Sequence, residues 1–60
     1  MKPIKEQIET YIAELENFSP SLAELSQGQY DLLKQTKAST ADFEDFLNDV
    51  KSSVAILKKK

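Results

Sequence analysis

The sequence contains no cysteine and no histidine. Without cysteine the chain has no disulfide and no thiolate metal site. Without histidine it lacks the commonest transition-metal ligand and the side chain that titrates nearest neutrality. Arginine is absent too, all eight basic residues being lysine. The bidentate fork that reads phosphates and guanine edges is therefore missing. A single glycine cannot build a phosphate-cradling loop or a Gly-x-Ser-x-Gly nucleophile turn. Alanine aside, no apolar run exceeds two residues, which leaves no transmembrane span and no signal-peptide core. The expected compartment is the cytoplasm.

What is present is a chain of 60 residues with a formal charge of −2, ten acidic side chains opposing the eight lysines. That length makes one domain. A domain this small buries only roughly 60% of the surface its unfolded chain exposes, so its stability is expected to be marginal. Helix packing, self-association or both must supply what disulfides and metals do not.

The apolar spacing is helical. Ile4, Ile8, Tyr11, Leu15 and Phe18 recur at intervals of 4, 3, 4 and 3, with Ile12 widening the stripe. This predicts a first helix over about 3–17, with Pro3 near its start. Pro20 stops it and opens the next helix, with Ser19 as N-cap ahead of Pro20, or Ser21 as N-cap in a box with Glu24. The second helix is expected over 20–37. Its broad apolar face comprises Leu22, Leu25, Leu32 and Leu33, interrupted by Gln29 and flanked by Gly28. A break at Ser26-Gln27-Gly28 is the alternative, but two such short pieces would be poor helices alone.

The third helix, over 40–58, has Ser39 as N-cap, Asp42 at the box position, and Glu44 and Asp45 in the first turn. Phe43, Leu47, Val50, Val54 and Leu57 repeat the 4, 3, 4, 3 interval beside Phe46. Lys58, Lys59 and Lys60 stand at the end where the helix dipole favours cations. Short turns make successive helices antiparallel neighbours. The expected fold is an all-α three-helix bundle.

Leu25-Ser26-Gln27, followed by Asp31-Leu32-Leu33, resembles the helical-hairpin phosphatases that dephosphorylate response regulators. Their second helix carries Ser-Gln-Glu-Leu-Asp. Here Gly28, Gln29 and Tyr30 stand in place of the Glu, Leu and Asp, and Asp31 comes one position late. A third patterned helix also exceeds a hairpin, so no residue role is carried over.

These observations argue against an enzyme, a bound cofactor and a small-molecule substrate. Asp42, Asp45 and Asp49 share one stripe of the third helix, but ligands along one helix do not surround a metal ion. They are better suited to complementing the dipole or facing a basic partner. Ile56 extends the Asp45, Asp49, Ser52 stripe on the side away from the apolar one. It reads as a lone exposed residue at a fraying end or as a second contact face. Tyr30, at the edge of the second helix, fits either the core or an interface with its hydroxyl in water. Tyr30, Asp45, Asp49 and Ile56 are the candidate protein-contact residues. The expected role is a small non-enzymatic interaction module: a regulator, inhibitor or assembly factor of the kind found in phages, plasmids and bacterial regulatory circuits. The alternative is a structural protein that assembles with itself as a homodimer or larger bundle, for which the strict stripes would also serve. Neither a nucleic acid nor a membrane is an expected partner.

Overall fold

The computed structural model describes residues 2–59, so Lys60 of the lysine tail lies outside the described residues. Three helices are present: α1 (Ile4–Phe18), α2 (Pro20–Gln35) and α3 (Thr40–Lys58). They form a small three-helix bundle. α1 packs against both other helices, and the packing between α2 and α3 is the sparsest of the three. Tyr30, late in α2, reaches Lys5 and Glu9 early in α1, and its ring meets Phe43 and Phe46 early in α3. Successive helices therefore run antiparallel. Glu14 and Lys58 form an ion pair where the late turns of α1 and α3 lie side by side.

Local chemistry accounts for the boundaries. One extended residue, Ser19, separates α1 from α2. It serves as N-cap with Pro20 next, and its Oγ accepts a long bond from the Leu22 amide at 3.5 Å. Ser39 and Asp42 complete the expected capping box on α3: the Asp42 amide donates to Ser39 Oγ at 3.3 Å and the Ser39 amide to Asp42 Oδ2 at 3.4 Å.

α2 stops at Gln35, two residues earlier than the pattern suggests. Lys37 takes a left-handed conformation, φ 55°. The Lys37 amide then donates to the Lys34 carbonyl at 3.3 Å, and that of Ala38 to Leu33 at 3.1 Å. That is a Schellman ending, with the lysine where glycine is usual. Ala38 and Leu33 both pack on the core, supplying the apolar contact that accompanies it.

The core consists of Ile8, Ile12 and Leu15 from α1, Ala23 and Tyr30 from α2, and Phe43, Phe46, Val50 and Val54 from α3. The stripes read on α1 and α3 are thus the buried ones, although Phe18 at the end of α1 is nearly half exposed. α2 departs from expectation. Its inward side is Ala23, Tyr30 and half-buried Leu33, whereas Leu22, Leu25 and Leu32 face solvent. Tyr30 explains the rotation. It is 1% exposed, and its ring fills more volume than a leucine while its hydroxyl finds partners on α1.

α2 runs unbroken through Gly28, which has no positive φ. A Cβ built there would meet nothing within 4 Å. Glycine in a helix interior costs roughly 1 kcal/mol against alanine. Gly28→Ala should therefore raise stability by roughly 0.5–1 kcal/mol, measured by urea denaturation; a loss of stability would mean the backbone at Gly28 is not an ordinary helix.

Candidate functional site

Leu22, Leu25, Gln29 and Leu32 follow one another at intervals of 3, 4 and 3. On a helix that spacing forms a single seam. The seam faces out: Leu25 is 67% exposed, Leu32 59% and Leu22 42%. Leaving three leucines half exposed forgoes roughly 2–5 kcal/mol of burial. The total stability of a 60-residue domain is only about 3–9 kcal/mol. An exposed apolar line of this kind on a small protein is therefore a substantial feature of its surface.

Two depressions border the seam. One lies between α2 and α3 and is lined by Gln29, Leu32 and Leu33 on one side and Asp42, Asp45, Phe46 and Asp49 on the other. Its floor is apolar and its α3 rim carries three carboxylates. The other lies on α2 itself, lined by Ser21, Glu24, Leu25 and Gly28. On the side of α2 toward α1, Glu24 and Asp31 stand with Glu16 beside Ile12 and Ala23. Asp31 is held by Lys34 at 3.5 Å and by Gln27 at 3.1 Å. Among the described residues Glu24, Asp45 and Asp49 form no ion pair.

The structure separates the four residues singled out from the sequence. Asp45 and Asp49 meet in the α2–α3 groove. Ile56 is 60% exposed on the same side of α3, about two turns beyond Asp49 and outside that groove. Tyr30 is not available to a partner, being one of the most deeply buried side chains. Its role is in the core. The three leucines, placed inside by apolar count, are instead the main exposed feature. Gln29 in the middle of their seam was the sign that this line does not meet a dry core.

Among the described residues, no three carboxylates converge to hold a metal ion. A shallow depression along α1 is lined by Lys2, Gln7, Thr10, Tyr11 and Glu14, and the Thr10 hydroxyl there donates to the Glu6 carbonyl at 2.9 Å rather than to a base. Among the described residues, no helix is long and apolar enough to cross a membrane. No protein-family model, curated protein or solved structure matches the chain.

The most perturbed group belongs to the scaffold that carries the seam. The Tyr30 hydroxyl donates to Glu9 Oε2 at 2.7 Å, with the Lys5 carbonyl oxygen at 3.3 Å. Burial pushes the phenol up to about 12, and the hydrogen bond to Glu9 and the charges of Glu9 and Asp31 act in the same direction. A raised pKa means that folding favours the neutral phenol. Its contribution is complete below about pH 10 and is lost as pH rises through the folded value of about 12. Lysines titrate in the same window, so the measurement is a comparison. Wild type should lose more stability than Tyr30→Phe between neutral pH and pH 12 in paired denaturation curves; equal losses would show that the phenol is not coupled to folding.

Proposed function

We propose that the chain is a non-enzymatic protein-binding module whose working surface is the outer face of α2 with the adjoining rim of α3. The observation that carries this reading is the exposed seam of Leu22, Leu25 and Leu32. Aliphatic anchors at helical spacing are what a helix-in-groove or helix-on-helix contact uses. The carboxylates of Glu24, Asp45 and Asp49 around it add direction and long-range steering. They also disfavour a nucleic acid, whose phosphates they would repel. The expected cytoplasmic setting belongs to the same proposal.

Self-assembly is the second reading, and one observation favours it. The 3, 4, 3 interval with a polar residue in the middle is also the pattern of a coiled-coil seam, where such a residue sets register. Both readings use the same face, and the mass in solution separates them.

The test is the double variant Leu25→Ser, Leu32→Ser. Circular dichroism should be unchanged, and stability should fall by about 1–3 kcal/mol, from the buried part of each leucine and the lower helix propensity of serine. Capture of partners from a source lysate, or self-association in light scattering, should be lost. An unchanged set of bound proteins together with an unchanged mass would overturn the proposal.

A further inference from the structure

Three features of α2 coincide at one place. The depression lined by Ser21, Glu24, Leu25 and Gly28 has its four residues at i, i+3, i+4 and i+7. That diamond is the hole of knobs-into-holes packing, the unit by which one helix receives a side chain of another. Its two end corners, Ser21 and Gly28, are small, so the hole is open to its floor. Gly28 is also unexplained within the chain: it has no positive φ, no neighbour within 4 Å of a built Cβ, and it weakens its own helix. A missing side chain that nothing inside the protein needs is accounted for when a partner's side chain or backbone approaches there.

Resting on the reading of this face as a docking surface, we infer that the occupant is a basic amphipathic helix of another protein, with an apolar side chain seated in the Ser21–Glu24–Leu25–Gly28 hole. Charge decides between this and a second copy. The seam is flanked by Glu24 and Asp31 on one side and by Asp42, Asp45 and Asp49 on the other. An antiparallel pairing of two α2 helices about Gly28 brings Glu24 close to Asp31 of the second copy. A parallel pairing sets the Glu24 flank of each copy beside the Asp42, Asp45 and Asp49 flank of the other. Like charges meet in both arrangements, which weakens association. A helix with leucine-type residues at intervals of 3 and 4 and lysine or arginine on both flanks reverses every one of those contacts. Its apolar line lies along Leu22, Leu25 and Leu32, and its cations reach Glu24 on one side and Asp45 and Asp49 on the other.

The probe is a synthetic Leu/Lys helical peptide with leucines at intervals of 3 and 4, beside a twin in which every lysine is glutamate. Titration calorimetry against the full chain should show one Leu/Lys peptide bound per chain, with the Leu/Glu twin weaker by about tenfold or more. Gly28→Gln fills the hole with a good helix former, and its Cβ meets nothing within 4 Å. It should weaken Leu/Lys binding by about tenfold or more, with the dichroism unchanged and the melting temperature equal or higher. Glu24→Lys should narrow the difference between the twins, and added salt should do the same. Equal affinity for the twins, or a wild-type dimer in light scattering that Gly28→Gln returns to monomer, would overturn the basic-helix occupant while leaving the docking face standing. Absence of Leu/Lys binding, or binding that Gly28→Gln leaves intact, would overturn the inference. Binding that survives both Gly28→Gln and the Leu25→Ser, Leu32→Ser pair would overturn the docking face as well.

Discussion

The burial of Tyr30 sets the rotation of α2, and the surface of the protein follows from it. A helix that offers a tyrosine on one side and leucines on another can dock in two ways. Turning the leucines in would bury more aliphatic groups, but it would expose the aromatic ring and break its bond to Glu9. With Tyr30 inside, the ring lies stacked near Phe46 and edge-on to Phe43, each at 6.3 Å between centroids. Lys34 and Lys5 lie over the rings of Tyr30 and Phe43, at 4.4 and 5.4 Å, each worth about 0.5–1 kcal/mol at exposed sites. The hydroxyl is satisfied on α1, and no buried side-chain polar atom is left without a partner among the described residues. The aromatic cluster ties all three helices together at one end of the bundle.

Much of this was legible in the sequence because α1 and α3 each carry one unambiguous stripe. Ile8, Leu15, Phe43, Val50 and Val54 stand at positions where only one face can be apolar, Ser39 marks where the third helix begins, and of the two serines that could open the second it is Ser19 that does. α2 was not legible for a physical reason. Leu22, Leu25 and Leu32 outnumber Ala23 and Tyr30, and apolar counting weighs number above shape. What decides the matter is a long-range fit between Tyr30 and residues 21 and 25 positions earlier in the chain, which local periodicity does not contain. The early end of α2 was hidden similarly, since Lys37 is an unusual residue for the left-handed position that closes the helix.

The positions of Asp45 and Asp49 were readable, and the outward turn of the leucines was not. Asp45 and Asp49 lie where helical spacing put them, on a stripe turned away from the α3 core. Their significance changes once Leu32 and Leu33 form the opposite wall, because under the proposed function an acidic surface beside an apolar line would discriminate between partners. Gly28 fits the same picture: the chain tolerates a weaker helix at the point where another helix is proposed to approach. Stability and the proposed contact are in tension along α2, as expected for a domain too small to hide all its leucines.

The central claim is that α2 is turned with Tyr30 inward and its leucine seam outward. Proton nuclear Overhauser contacts in solution, combined with a soluble paramagnetic agent, test it most directly. The account predicts contacts from the Tyr30 ring to Phe43 and Phe46, and strong attenuation of the Leu25 and Leu32 methyl signals by the agent. Methyl contacts from Leu25 and Leu32 to Phe46 or Val50, with the Tyr30 ring attenuated instead, would contradict it.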